Sequence, residues 1–507
     1  MAKHKSYLTL PVTMIIFFAL GVSNAFSSTY YVDFANGNDS NAGTSTAAQW
    51  AHCPGDPKAA GYPAGVTLSP GDKVFFKGGV QYNGQVNVKW SGSSGNTITY
   101  DGNSAGNWGN GHAIIDAQAK RSYCFDFPSA RKYITINNFE LRNGPTTGAP
   151  RMIYAHNASS YVEVANCTIH NTGNSTPSVT SGMGIWANGS YWRIHNNLMY
   201  DCYDTAIYLI NGASYNQVYN NEFHDKIRWG VVVKSDSGAT IQTDNSIHDN
   251  YFHDIYYYDG RGPHTDWIFL SLTTNGQINN TKIYNNLCTN SKAFANCGGT
   301  AIVYIDNSGG NGSGGTINNT LVYNNAIQNP HEYYATAVEA TGGNVVNTYF
   351  YNNSFYTSRG CALLYADTFG TPYTINGLTL MNNVWAESNH IIMWLNGNLS
   401  NISINYNNYY SSYSAPFKLK RTYYSWTNWR DLGYDADSEG PQSDPMYANT
   451  VDMAGNLSLR AGSPAIGAGT NLSSVFITDK DNSPRPQSGM WCMGAYELNP
   501  ASVINIK

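Results

Sequence analysis

Three carboxylates recur at matched positions in the middle of the chain. Asp201, Asp225 and Asp254 each stand four residues after the last Asn of a short β-rich run. Tyr200, His224 and His253 stand immediately before them. If successive runs stack in register, the three carboxylates lie about 4.8 Å apart along one edge. Like charges that close are unfavourable, so one must take a proton or all must share a cation. Ca2+, a hard ion that gathers several carboxylate oxygens, is the cofactor such a row would take. The competing reading is turn chemistry, with each Asp bonding local backbone at a solvated corner.

A second cluster lies in the same stretch. Arg228 and Lys234 flank the run WGVVVK, and YDGRGPHTDWIFL supplies Asp259, Arg261, His264 and Asp266. Lys234 and His264 are candidate bases, and Arg228 and Arg261 are candidate partners for an anion. Asp266 with Asp204 or Asp225 is a candidate acid pair. Ionisable groups concentrated in a charge-poor chain point to a functional site; a solvated patch is the alternative. The Ile/Val pattern puts Ile207, Val231 and Ile268 in one phase. If that phase faces the core, alternation turns Tyr208, Trp267 and Phe269 outward with Lys234. Gly230 and Ala301, taken as neighbours of Trp267, would leave its face open for a sugar ring to stack on. The opposite parity would bury Trp267 and Phe269.

The elements that position these residues are short and repeated. An Asn pair or a close variant closes ITINNFEL, VEVANCTI, WRIHNNLMY, NQVYNNEFH, SIHDNYFH, TKIYNNLC, TLVYNNAI, TYFYNNSF, LTLMNNVW and ISINYNNYY. With the last Asn taken as Asn138, Asn166, Asn197, Asn221, Asn250, Asn286, Asn325, Asn353, Asn383 and Asn408, the spacings are 28, 31, 24, 29, 36, 39, 28, 30 and 25. A further strand-like run follows most pairs: GIWA, AIYLI, GVVVK, WIFLS, AIVYI, TAVEA, ALLYA. Units near thirty residues with two or three short strands predict the coils of a parallel β-helix. Asn suits the corner because it tolerates a left-handed backbone and can bond the Asn one coil away. KVFFKG, QVNVKW, TITYDG and AIIDAQ read as earlier coils, and a short helix is expected around Trp426 to Leu432. The expected organisation is a signal peptide over 1–25 and an N-terminal cap with first coils over 26–130. Central coils follow over 131–412, and a C-terminal cap over 413–507.

Composition agrees with a long all-β chain. Charged residues are 12% and aromatics 14%, with 39 Tyr and 49 Gly. That excludes a disordered chain, and the shortage of strong helix formers argues against a helical bundle. A net charge of -5 leaves no basic footprint for nucleic acid. Lys3 and Lys5 precede an apolar stretch from Leu8 to Val22, and Ser23-Asn24-Ala25 supplies small residues for cleavage. This reads as a signal peptide with the mature chain starting near Phe26, or else as an uncleaved anchor. No later segment is long and apolar enough to span a membrane. Eight Cys are scattered without a CxxC. Cys288 and Cys297 are spaced to close a short loop, with buried thiols as the equal alternative.

At its two ends the chain resembles a known group. YYVDFANGNDSNAGTS with LSPGDKVFFKGG, and GNLSLRAGSPAIGAGT with DNSPRPQSGMWCMGAYE, resemble the terminal segments of secreted right-handed parallel β-helix proteins of the pectate-lyase-like superfamily. With the coils between, the resemblance spans nearly the whole mature chain. It implies a single-stranded right-handed β-helix and a polysaccharide partner. That superfamily holds polysaccharide lyases, glycoside hydrolases, uronan epimerases and non-enzymatic surface proteins. GPHTD resembles the Asp-Pro-His-Asp motif of mannuronan C5-epimerases, but has Gly262 for the first Asp and Thr265 before Asp266. A lyase acting on a uronate chain is the leading expectation: Asp201, Asp225 and Asp254 hold the cation, and Arg228 or Arg261 meets the carboxylate. Lys234 or His264 then takes the C5 proton, with Trp267 and Tyr208 under the sugars. A hydrolase built on an Asp pair, an epimerase and a carbohydrate-binding surface protein stay open beside it.

Overall fold

The two residues of each Asn pair do different work. In a computed structural model, the first takes the left-handed backbone, with φ of 55° at Asn196, 52° at Asn220, 55° at Asn285 and 59° at Asn382. Short polar side chains tolerate this region best. The second turns inward and is buried, and its amide reaches the next coil. Asn197 Nδ2 donates to Asn221 Oδ1 at 2.9 Å, and Asn221 to Asn250 at 3.0 Å. The ladder continues through Asn286, Asn325, Asn353 and Asn383 to Asn407. Each Nδ2 also donates to a strand carbonyl of the coil before, as Asn197 does to Val164. Each Oδ1 accepts a backbone N–H from that same coil, as Asn221 does from Asn197. The expected register shifts by one at both ends. Asn138 and Asn166 are left-handed corner residues, and Asn407, not Asn408, ends the ladder.

The structure describes residues 27–173, 182–255, 265–290, 301–308, 314–328, 334–357, 362–368, 370–387, 391–450 and 456–498. Strands between the corners pair in parallel from coil to coil, forming sheets of 16, 12 and 13 strands. One coil runs from Arg193–His195 in the first sheet, through Leu198–Tyr200 in the second, to Thr205–Ile210 in the third. The next coil repeats it with Gln217–Tyr219, Glu222–His224 and Trp229–Ser235. Inward residues stack into rows: Ile194, Val218, Ile247, Ile283, Val322, Phe350 and Leu380 align in the first sheet, all buried. Strands of three residues cannot bury an apolar face alone, so the stack is what makes them stable. The architecture is a right-handed parallel β-helix.

Open sheet edges are covered at both ends. Thr29–Val32 pairs with Lys73–Phe76 at the start. At the finish, Phe417–Leu419 meets Thr422–Tyr424 antiparallel, followed by the helix Trp426–Arg430. There the ladder ends on buried Asp435, whose carboxylate accepts from Asn407, Tyr409, Trp429 and Ser438. The last segment folds back on the coils. Buried Arg485 donates to Asn324 Oδ1 at 2.9 Å and pairs with Glu497 at 2.8 Å. Six cysteines, Cys288 among them, are buried free thiols. Cys297 and Cys361 lie outside the described residues.

The third sheet corrects one expectation. Ile207, Val231 and Ile268 face the core as the pattern required, and Tyr208 and Phe269 turn to the other side of the sheet, where they are buried with Tyr304 in a second apolar cluster. Trp267 does not join them. It is 1% exposed and its ring lies 6.1 Å from Phe252 in the core. Pairing skips this row, running from Trp229↔Asp266 to Val231↔Ile268, so two successive residues turn inward and alternation fails. Gly230 is needed beside it, because a Cβ there would come within 2.4 Å of the Trp267 carbonyl. Ala301 pairs with Asp266, not with Trp267.

Two stability outcomes follow. Asn250→Ala removes partners from Asn221, Val218 and Asn286 together. It should cost about 2–4 kcal/mol, read from the urea midpoint. Trp267→Ala should cost about 3–5 kcal/mol by cavity formation and disturb near-ultraviolet dichroism.

Candidate functional site

The carboxylate row is a corner. Asp201, Asp225 and Asp254 have φ of 48°, 61° and 51°, and the same corner holds Asn143, Asn171 and Asn290 at 59°, 50° and 51°. The side chains turn to local partners. Asp225 meets His224 Nδ1 at 2.8 Å and Asp254 meets His253 Nδ1 at 2.9 Å. Asn290 donates to the other oxygen of Asp254. Burial, with the charge of Asp225 adding, holds the Asp201 carboxyl above its usual range, and Lys226 opposes it. His170, Tyr200, His224 and His253 stack beside the row at 4.7, 5.0 and 5.2 Å. Calcium needs six to eight converging oxygens. Among the described residues no group of three or more His, Cys, Asp or Glu is arranged to hold a metal. The row does not fit the ion.

The second cluster divides. Arg261, His264 and Asp259 lie outside the described residues. Asp204 is buried and pairs with Arg228 at 3.2 Å. Burial pushes its carboxyl up, and Arg228 opposes that. The Arg228 guanidinium lies 3.8 Å over the Trp229 ring. Asp266 is fully buried, and its Oδ1 accepts the Ala301 N–H at 3.1 Å. Its carboxylate thus ties one coil to the next. Lys234 stands on the outer face of the third sheet with Nζ 4.0 Å from Asp236. The structure therefore brings Lys234, Arg228, Asp204 and Tyr208 to one face and leaves the Asp201 row at the corner before it.

That face carries two parallel rows. One is aromatic: Trp186 stacks on Tyr208 at 4.7 Å, Phe269 on Tyr304 at 5.2 Å, and Tyr365 meets Trp394 at 5.0 Å. The other is polar and in register. From Lys234 it passes to Ser271, Asp306, Glu339, Asp367 and Asn396. Asp306, Glu339 and Asp367 thus stand on successive coils beside aromatic rings; Asp306 and Tyr304 are buried, and Glu339 and Asp367 are half-buried. Tyr304 Oη donates to Glu339 at 2.8 Å, and Tyr365 Oη to Asp367 at 2.6 Å. Asn396 donates to Asp367 at 2.9 Å and Ser308 to Asp306 at 2.8 Å. Burial, then the neighbouring carboxylates, hold the Tyr304 phenol far above its ordinary value, so it stays a donor. Sequence reasoning missed this row. Its signal is an acid closing three successive third-sheet runs, AIVYID, TAVE and ALLYAD.

Arg151, 4.2 Å over Trp186, joins Arg228 and Lys234 on the earlier coils, where Asp204 and Asp236 stand beside the latter two, and Asp306, Glu339 and Asp367 occupy the later coils. Adjacent coils set neighbouring carboxyl-bearing residues about 4.8 Å apart. Such a row suits paired acid and base work on a neutral ring polymer laid along the axis.

Comparison with known proteins agrees with this architecture. The family model for the right-handed beta helix region matches residues 65–266 and 129–368. No curated protein sequence matches the chain significantly. Among solved structures, XylC in complex with xylose superposes with a TM-score of 0.53 at 12% identity, over 93% of this chain and 98% of that one. At that identity the likeness is one of fold. Pectate lyase Pel9A gives 0.47 at 16% identity over 93% and 97%, and the GH136 lacto-N-biosidase from Eubacterium ramulus 0.42 at 13% over 78% and 68%. With its coils, its Asn ladder and the family model in agreement across more than half its length, the chain belongs to the right-handed β-helix family.

Proposed function

We propose that the protein is an exported glycan-degrading enzyme that hydrolyses its substrate with the carboxyl groups of Asp306, Glu339 and Asp367. The observation that carries this reading is the in-register acidic row beside the aromatic row on the outer third sheet. Sugar rings stack on the half-buried rings of Tyr365 and Trp394, and the acidic row supplies the acid and base. One carboxylic acid protonates the glycosidic oxygen as the bond breaks. A second carboxylate attacks the anomeric carbon or activates water against it. Residues one coil apart suit the spacing of about 5 Å needed for retention, and residues two coils apart approach the upper end of the roughly 6.5–9.5 Å needed for inversion. The tyrosine donors to Glu339 and Asp367 orient the carboxylates. Three carboxylates would repel a uronate at the same position, so the sugars there are neutral.

A lyase is the second reading, favoured by Arg151, Arg228 and Lys234 on the earlier coils of the same face. There Arg228 or Arg261 would meet a uronate carboxylate, and Lys234 or His264 would remove the C5 proton. Asp201, Asp225 and Asp254 hold no ion in either reading.

Glu339→Gln and Asp306→Asn should each lower turnover about 100-fold or more with the fold intact. The assay is release of reducing ends from a panel of neutral polysaccharides. A chelator should leave that activity unchanged. If the product instead carries an ultraviolet-absorbing unsaturated end, and Lys234→Ala abolishes it while Glu339→Gln does not, the lyase reading replaces the hydrolase.

A further inference from the structure

Four tyrosines occupy a backbone conformation that favours other residues. Tyr133, Tyr161, Tyr191 and Tyr215 have φ of 57°, 56°, 62° and 58°. They hold the corner where each coil enters the first sheet. In later coils the same corner carries Asp244, Asn280, Asn319, Asn347 and Gly377, all with positive φ. Those residue types adopt the left-handed region at least cost, and tyrosine gains nothing there from its short-range hydrogen bonding. An outlier of this kind, repeated in four consecutive coils, motivates a search for function.

The rings form a ladder of their own. Their centroids are 4.7, 4.7 and 5.0 Å apart, with planes within 8°, 2° and 6° of parallel. Stacking explains part of the choice. It does not explain the exposure: Tyr161, Tyr191 and Tyr215 are 41%, 42% and 45% exposed. Each ring face is covered by the next ring, so what meets solvent is a line of ring edges and phenol hydroxyls. Among the described residues, none of the four hydroxyls has a protein hydrogen-bond partner. The serines before Tyr191 and Tyr215 fix the strip to the coils. Ser190 Oγ accepts the Ser214 N–H at 3.2 Å, and Ser214 Oγ accepts the Thr243 N–H at 3.0 Å. Loss of hydration in the stack, with Tyr161 and Tyr215 on either side, holds the Tyr191 phenol above its ordinary value, so it stays uncharged.

We propose that this tyrosine strip is a second glycan-binding site, which holds a neutral, extended β-1,4-linked chain along the axis of the β-helix. The hydroxyl spacing is set by the coil repeat and lies close to the advance of one sugar in such a chain. A rigid row at one spacing binds several successive sugars with little loss of side-chain freedom. The strip borders the proposed catalytic face: Tyr191 is five residues beyond Trp186, and Tyr215 seven beyond Tyr208. The ligand class rests on the glycan reading above, but binding here requires no turnover.

The test is affinity electrophoresis of the full chain in gels containing β-1,4-xylan or glucomannan, with alginate as the charged control. Wild type should be retarded by a neutral glycan. The triple variant Tyr161→Asn, Tyr191→Asn, Tyr215→Asn installs the residue the same corner carries elsewhere, so it should keep the fold and melt no lower. Its affinity should fall at least tenfold, while turnover of a short soluble oligosaccharide stays unchanged. Glu339→Gln should lose turnover and keep the retardation, which separates this proposal from the catalytic one. Wild-type affinity in the Asn variant, or no retardation by either neutral glycan, overturns it. If the Asn variant unfolds, Tyr161→Phe, Tyr191→Phe, Tyr215→Phe decides: it keeps the stack and removes the hydroxyls, and undiminished binding overturns the proposal.

Discussion

Every coil must turn a sharp corner and still satisfy the peptide groups it buries there. The Asn ladder meets both demands and sets everything else. Because Asn197, Asn221 and Asn250 bond one another directly, adjacent coils can take only one register. That register decides which residues share a row and which side chains face solvent together. Coil length then varies, as the spacings of 24 to 39 do, with the excess accommodated away from the ladder. A chemical row on the outer face is therefore a by-product of the corner. Once Asp306 is placed, Glu339 and Asp367 are placed one and two coils further along.

The fold was legible because its cause is local. A left-handed corner and a buried amide need the same two residue types in every turn, so the requirement recurs in the sequence. The candidate site was legible only in part. Stacking the Asp201, Asp225 and Asp254 row was right in register, but Asn143, Asn171 and Asn290 hold the same corner, so backbone conformation selects that position. Trp267 was misread because two successive residues turn inward where the pairing skips a row. Period-two reasoning has no means of locating such a skip. The Asp306, Glu339 and Asp367 row was hidden for a different reason: intervals of 33 and 28 residues separate its members, and only the closing position of three strands unites them.

Charge was also hard to read from one dimension. The low charged content made the Asp201 to Asp266 stretch stand out, yet most of its carboxylates tie coil to coil or side chain to neighbour. Asp204 anchors Arg228, and Asp266 holds the Ala301 amide. In a solenoid a polar group beside a strand end has a neighbour one coil away whether or not it does chemistry. Acids in register on three successive coils, on the side of the sheet away from the core, are the more discriminating mark.

The ladder has a direction. From Asn197 to Asn383 every side-chain amide gives one N–H to the Asn of the next coil, and each accepting oxygen points back toward the N-terminal end. Aligned amide dipoles add, as peptide dipoles do along a helix. The column therefore behaves as a macrodipole with its positive pole at Asn407. Asp435 sits on that pole, buried, where burial alone raises its carboxyl above the usual range. The field of the column opposes that cost, so the C-terminal cap places a carboxyl group at the end of a dipole built from eight coils.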